Sequence, residues 1–552
     1  MGLGVAVTDD VGFGSFAHSD HGKRHEILFR HLVDGSGLTS EMATRCEWDD
    51  ELVSQSGIFV AEVPFLSVGG GIGSFATIDF LRISGVPASL LEVVGPFSNP
   101  YGMLKRLLDN SQIPSHERIR SGSSDRVDNI WGWPGYSLEE AYREKQLGPL
   151  WHSISEPILS EYHTPRASQV YNAVDREGER IGWASMYTPG RVPFIRKRKE
   201  GGYFVVIVPH DETYLHNMQI RKVQYIHLSV GFSGIHRPPD SLKYETETLN
   251  NGIGHDVGMK RVVNVYEPHE HVYENLVRNS GSVLLRGSAS SAMQVIQRLA
   301  QEHRQSESKF ELFHLIRDHS NHNPQPLLWR IPRKNNYSYQ AFTFAKGSFG
   351  GQIQQKYRKI GDDKLRAELL SSVASTAIPH RRLWEQQIAQ GKRDGWYHPI
   401  FGDGEGFEVS DNGKVMSTIC NAGGDSRVVE TDFLIDATGV EANLNEHEIL
   451  SDLVNCTGAK INPLGQLAVK ENFEVEGTAS PTLARSNFNG KVYATGIATL
   501  GNTHTIAMYS FWGLQYSAWK LAQDLAESGF CHKMTSFRST IGWLRRIGNR
   551  EP

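Results

Sequence analysis

Two stretches of the chain repeat one pattern: an apolar run, a glycine turn, then bulky residues at helical spacing. They are 63-VPFLSVGGGIGSFATIDFLRISG-85 and 283-VLLRGSASSAMQVIQRLA-300. Each is followed by a short apolar run with the length of a buried strand, 88-ASLLEVVG-95 and 310-FELFHLI-316. Two more apolar runs leave through glycine, 433-FLIDATG-439 and 491-KVYATG-496. The latter precedes 506-IAMYSFWGLQYSAWKLAQDLA-526, whose aromatic and aliphatic residues fall on a helical period. The run 223-VQYIHLSVGF-232 reads as another strand, closed off by Pro238 and Pro239. Strands alternating with helices predict α/β layers, and the two similar turns predict two Rossmann-like nucleotide folds.

Between Pro96 and Val223 the pattern is mixed. Ser137 and Glu140 have the spacing of a capping box ahead of a helix over 138-LEEAYREKQL-147. The runs 169-QVYNAVD-175 and 181-IGWASMY-187, split by 176-REGER-180, read as a hairpin, and 196-RKRK-199 as its kind of solvated edge. Such a segment suits a lid or substrate-facing region. Residues 1–60 show no sustained period beyond one helix over 24-RHEILFRHLV-33.

The glycine turns carry the chemistry. A strand entering G-x-G-x-x-G needs its first glycine for the bend, its second so that backbone can approach a pyrophosphate, and its third for close helix packing. Amides at the helix start then face the phosphate oxygens. Gly69, Gly71 and Ser74 hold these places, with Gly73 and Ala76 offering a frame shifted to Gly71. Glu92, about 20 residues on, stands where an acid receives the ribose hydroxyls. The plain alternative is a glycine-rich bend without a ligand. In the second turn Gly287, Ala289 and Ala292 take the three places, and Arg317 stands where a cation would select the 2′-phosphate of NADPH. The alternative there is a nucleotide fold that has lost its ligand.

Together these positions resemble the flavoproteins with two dinucleotide-binding domains, and among them the class B flavin-dependent monooxygenases: flavin-containing, Baeyer–Villiger and N-hydroxylating enzymes. The resemblance spans Val63 to Ala526. It implies an FAD-binding domain (61–245 and 431–530) into which an NAD(P)H-binding domain (246–430) is inserted. A mixed α+β substrate or lid region would fill 96–222, with 1–60 as an extension and 531–552 as a tail. The stretch 229-SVGFSGIHRPPD-240, with Gly231, is similar to the first crossing between domains, and 436-DATG-439, with Gly439, to the second. The stretch 128-DNIWGWPGY-136 is similar to a loop over the flavin, so Trp131 and Trp133 either line the flavin face, Trp131 binding the cofactor and Trp133 as a catalytic candidate, or are ordinary core.

In the family the strand similar to 491-KVYATG-496 ends in Gly-Asp, whereas here Ile497 follows Gly496. After it, Asn502 and Thr503 join the cofactor-binding set, and Thr503 or Thr505 caps a helix whose positive end faces the flavin pyrimidine. His504 is either a proton donor beside the ring or a satisfied histidine beside a cap. A further family fingerprint, F-x-G-x-x-x-H, survives only as His269 with Tyr273, since Val263 and Val265 hold the Phe and Gly places. The histidines of 266-YEPHEHVY-273 read as a hinge segment, and no metal is assigned.

The activity implied is a flavin monooxygenase: NADPH reduces FAD, molecular oxygen reacts at flavin C4a to give a (hydro)peroxide, and one oxygen atom passes to a small organic substrate. A second reading is an FAD oxidase or dehydrogenase reduced by its own substrate, with a vestigial second nucleotide site, which Ala289 favours. A third is a non-catalytic flavin-binding sensor or assembly partner.

Composition narrows the setting. At 552 residues the chain exceeds a single core. A net charge of −5 gives no general attraction to nucleic acid. Cys46, Cys420, Cys456 and Cys531 are too scattered for a local disulfide framework or a C-x-x-C pair, which sets the chain apart from the disulfide reductases of similar plan. Asp9, Asp10, His18, Asp20 and His21 stand where a secretory signal would be basic and then apolar, and no run is apolar enough to span a membrane. The expectation is a cytoplasmic, soluble, metal-free enzyme.

Overall fold

The computed structural model describes residues 38–552 apart from short gaps and the stretches 211–216, 252–259, 317–329, 341–356, 367–377, 481–489 and 503–507. The expected helix over 24–33 lies outside the described residues. Two sheets organise what is described. The first has eight strands. At its centre β1 (Phe59–Val68) runs parallel to β2 (Leu91–Gly95) on one side and to β6 (Gln219–Leu228) on the other. Beyond β2 lies β3 (Tyr187–Pro189); beyond β6 come β5 (Tyr203–Val208), β4 (Arg191–Arg198) and the two-residue strand Glu47–Trp48. The late strand β14 (Lys491–Ala494) returns to this sheet and pairs with the far half of β6.

Helix α1 (Ile72–Ile83) is apolar nearly all round and accordingly buried nearly all round. It lies between the sheet and two helices, α3 (Ala167–Ile181) and α6 (Phe511–Glu527), in one core with Phe65, Phe75, Ile78, Val174 and Leu521. A separate core on the sheet's other face joins Leu66, Val94 and Ile226 to α5 (Glu448–Thr457) through Leu450 and Leu453.

The second sheet has five parallel strands in the order β11 (Tyr397–Phe401), β10 (Glu311–Ile316), β9 (Ser282–Arg286), β12 (Phe433–Asp436) and β8 (Val262–Asn264). Helix α4 (Ser290–Gln305) covers it. The two crossing segments meet each other: β7 (Gly234–Ile235) pairs antiparallel with β13 (Val440–Glu441).

Three expectations are corrected. The hairpin over 169–187 is helix α3 followed by a short turn of helix. Its buried positions Val170, Tyr171, Ala173, Val174, Glu177 and Ile181 follow a period of 3.6, not of two. Gly178 lies buried within α3, where a side-chain carbon would make only ordinary contacts with Trp183 and Phe75. The helix α2 (Tyr136–Glu144) forms, but its N-cap is Gly135, and Glu140 turns to Arg118 and His163 rather than to a capping box. The 196–199 run is no solvated edge. Glu47–Trp48 adds a parallel strand there, Arg196 is buried against Asp452, and Arg198 and Lys199 pair with Asp50 and Asp49. Residues 38–58 thus belong to the packed body through Leu38, Met42, Trp48 and Val53. The same layer carries a disulfide between Cys46 and Cys456, Cα atoms 4.6 Å apart, which sequence spacing could not suggest because 410 residues separate them.

The Arg196–Asp452 pair sets a stability prediction. Asp452→Ala leaves a buried guanidinium uncompensated and is expected to cost about 3–5 kcal/mol, read by thermal or denaturant unfolding. Replacing both partners, Arg196→Met with Asp452→Leu, is expected to cost less than the single change.

Candidate functional site

The first glycine turn begins where β1 ends. Gly69 donates its amide to Val94 O and adopts φ +122°, Gly70 follows at +63°, and Gly71 caps α1. A Cβ on Gly69 would lie 2.1 Å from the carbonyl oxygen of Ser229, just past β6. Gly73 is held the same way: a Cβ there would meet Ser229 Oγ at 2.1 Å and Leu514 of α6 at 3.0 Å. Gly71 is different. A Cβ there would have nothing nearer than Pro100 O at 4.0 Å, so its outer face is open. No side chain caps the first-turn amides of α1, which leaves them aimed into that opening. Ser74, in the third place, is fully buried, so the position is a packing one and its hydroxyl finds no partner.

The second turn copies the first. Gly287 has φ +126°, and a Cβ there would lie 2.4 Å from Ala437 O, just past β12. Ala289 caps α4 at φ −84°, ψ −173°, against −85° and −169° for Gly71. An L-residue adopts that conformation freely, so alanine changes the surface of the turn and not its path. Ala292 is fully buried, as Ser74 is. Arg317 lies outside the described residues.

A buried histidine sits beneath each turn. His227 on β6 reaches Ser67 Oγ and Thr495 Oγ1, both at 2.9 Å, and so joins β1, β6 and β14. His314 on β10 donates from Nε2 to Gly287 O at 2.6 Å, and its Nδ1 accepts from the Tyr397 hydroxyl at 2.7 Å. Burial lowers both, His227 to about 3 and His314 to about 4. The sequence reading missed both.

It also missed Arg286, the last residue of β9. Its guanidinium bonds Asp240 Oδ2 at 2.6 Å and Asp436 Oδ2 at 2.9 Å, one carboxylate from each crossing segment. A cation ending an otherwise apolar strand was the available signal. The crossing glycines Gly231 (φ +76°) and Gly439 (φ +116°) both have open space around them, and Gly439 O accepts from His236 N.

Other expected positions are placed differently. Glu92 is near the start of β2, opposite Leu66, and not at its end. Its carboxylate is taken by Arg221 at 2.8 and 3.0 Å and by Thr188 at 2.7 Å, so the strand-end acid is absent and Gly95 stands there. Trp131 gives its indole N–H to Ser539 and Trp133 its carbonyl to Trp543, both on the C-terminal helix α7 (Ser536–Ile547), and Trp133 is 59 % exposed. Gly496 (φ +78°) opens a short 3₁₀ turn packed on Leu514. Asn502 is buried and holds Leu467 O, Thr499 O and Val469 N, a loop-stitching role. Thr503, His504 and Thr505 lie outside the described residues, and the N-cap of α6 is Ser510. His269 and Tyr273 bond each other at 3.2 Å within the second core. Among the described residues no cluster is arranged to hold a metal, and no helix is long and apolar enough to cross a membrane.

Known proteins match this chain by structure. No family model and no curated protein matches its sequence. The ornithine N-hydroxylase of Kutzneria sp. 744, solved with reduced FAD, NADP+ and L-ornithine, superposes with a TM-score of 0.58 at 12% identity, over 85% of this chain and 100% of that one. The cadaverine monooxygenase of Erwinia amylovora, solved with FAD, gives 0.57 at 13% identity over 86% and 98%. The ornithine hydroxylase of Pseudomonas aeruginosa gives 0.55 at 15% identity over 85% and 99%. The fold is that of the N-hydroxylating flavoprotein monooxygenases. At both glycine turns the helix that follows a parallel strand starts without a side-chain cap.

Two outcomes are expected. Gly69→Ala drives a methyl into the Ser229 carbonyl at a left-handed φ and should cost at least ~3 kcal/mol in unfolding experiments, whereas Gly71→Ala should fold with an almost unchanged melting temperature. The depressed histidines set an acid limit. The unfolded chain takes up protons near the ordinary value of 6.5, the folded chain only near 3 to 4, so the stability held above pH 6.5 is lost as pH falls through 4. Melting temperature against pH should show this slope, and His314→Gln should flatten it.

Proposed function

We propose that this protein is an FAD- and NADPH-dependent monooxygenase that hydroxylates the nitrogen of a small amine. One observation carries the reading: the same turn, with the same backbone and the same packed carbonyl, recurs at the ends of parallel strands in two sheets of a fold shared with N-hydroxylases of ornithine and cadaverine. In this reading residues 61–245 and 431–530 bind FAD, with 96–222 facing the substrate, and 246–430 form the NADPH unit inserted between them. The return of β14 to the sheet of β1, after the second sheet is complete, supports that division.

The residues present fit the cofactors. Gly69, Gly71, Gly73 and Ser74 would let the FAD diphosphate lie on the uncapped amides of α1, where the helix dipole favours the anion. With Glu92 committed to Arg221, the adenosine ribose must find its partners beyond Gly95. Gly287, Ala289, Ala292 and the amides of α4 would hold NADPH, with Arg317 proposed for its 2′-phosphate. Bound FAD would supply the redox chemistry, receiving hydride from NADPH and activating molecular oxygen. The chain's own part is to hold the nucleotides rigidly and keep water out. Packing of α1 against Ser229 and Leu514 fixes the first turn, Gly496 and Asn502 fix the loop before α6, and His504 is proposed as the proton donor beside the substrate.

Ala289 favours a second reading, in which the substrate itself reduces the flavin, because its methyl stands where the second glycine would admit a diphosphate. Mixing the purified yellow protein with NADPH without oxygen separates the two. Rapid bleaching of the flavin band is expected; none would leave the second reading, and protein that is colourless and takes up no flavin would end both. Gly71→Ala should weaken FAD binding about tenfold while the protein stays folded. Ala289→Gly should lower KM for NADPH severalfold with flavin content unchanged.

A further inference from the structure

Helix α7 is amphipathic in an unusual sense, being anchored on one side and apolar on the other. Its inner side is fixed to the loop over 126–134. Ser539 receives the Trp131 indole N–H at 2.8 Å, Trp543 donates to Trp133 O at 3.0 Å, and Arg546 bonds Asp128 Oδ2 at 2.8 Å. At about 100° per residue, Phe537, Ile541 and Leu544 point the opposite way, and Ile547 lies between that stripe and the anchored side. All four are exposed hydrophobics, at 75 %, 37 %, 57 % and 52 % exposure. Arg538 and Arg545 flank the stripe, and Lys533 and Arg550 stand at its ends, all exposed. Between residues 531 and 552 the one acid is Glu551, although the whole chain has a net charge of −5.

We propose that this face of α7 docks the protein on an anionic lipid surface, the apolar stripe entering the headgroup boundary and the cations meeting lipid phosphates. A helix with an outward apolar stripe beside a basic border is the arrangement that lies in a membrane interface. Charge chooses the lipid over a second copy of the chain. Symmetric packing of α7 on its mate would set Arg538 and Arg545 against their own copies, with no carboxylate on the helix to offset them. The inner anchors hold the stripe outward, so docking needs no unfolding of the helix.

The test uses the full-length protein and co-sedimentation with vesicles, of phosphatidylcholine alone or mixed with an equal part of phosphatidylglycerol. Binding is expected to the mixed vesicles, and to fall as salt is raised. Arg538→Glu with Arg545→Glu should lower it by roughly tenfold or more. Phe537→Ser with Leu544→Ser should abolish it while flavin content and melting temperature stay unchanged, since both side chains point away from the body. Failure to sediment with the mixed vesicles, or equal binding to phosphatidylcholine alone, overturns the proposal. So does a concentration-dependent dimer that the Phe537→Ser/Leu544→Ser variant makes monomeric.

Discussion

The structure depends on an approach between two pieces of backbone too close for any side chain. At Gly69 the chain leaves β1 with its α-carbon against the carbonyl of Ser229, and at Gly287 it leaves β9 with its α-carbon against the carbonyl of Ala437. In each case the carbonyl belongs to the residue just past a neighbouring parallel strand. The two strand ends and the helix start are thereby locked into one cluster, and the amides of the helix start face outward. A Cβ would separate the strand ends before it affected any ligand. Local sterics therefore fix both the sheet register and the open face of each turn.

Buried charge does comparable work at the other end of the chain. Arg126 and Asp128 are fully buried and joined, and Arg546 of α7 completes the pair. Glu177 and Arg180 on α3 form a second pair, from which Arg180 reaches the carbonyl of Arg550. Asp79 lies among them, 3.9 Å from the Arg180 guanidinium, and burial together with the Glu177 charge raises its pKa well above the usual range. Desolvation on this scale is tolerable only if every partner is in place. The terminal helix is in that sense a structural member: removing it would take Arg546 from Asp128 and leave Arg126 as that carboxylate's remaining cation.

What the sequence made legible follows from these physics. The glycine turns could be read because sterics there restrict residue type, and the strands around them because full burial on both faces demands continuous apolar runs. The partners of Glu92 could not be read, since Arg221 is far away in sequence and an acid at the expected distance from a turn looks the same whether it meets a ribose or a guanidinium. The partners of Trp131 and Trp133 could not be read for the same reason: Ser539 and Trp543 come from the last helix. The segment 169–187 reads as a hairpin because the charged run 176-REGER-180 splits it. Its helical period is carried by Val170, Tyr171, Val174 and Ile181, split between two windows that were each too short to show it.

Arg286 shows how the two sheets are joined. The position ending β1 in the first sheet is Val68, which packs; its counterpart in the second is a cation in contact with Asp240 and Asp436. One carboxylate comes from the segment leaving the first sheet and the other from the segment returning to it. A half-buried guanidinium bonded to both holds those segments in register more firmly than the two-residue ladder of β7 and β13 could alone. Gly231 and Gly439 lie outside that clamp, toward the first sheet, in left-handed conformations with nothing nearby to hinder them. Rigidity is thus concentrated at the second turn. The left-handed backbone that the crossing segments need is supplied at two glycines beside it, where a side chain would meet no neighbour and only φ selects the residue.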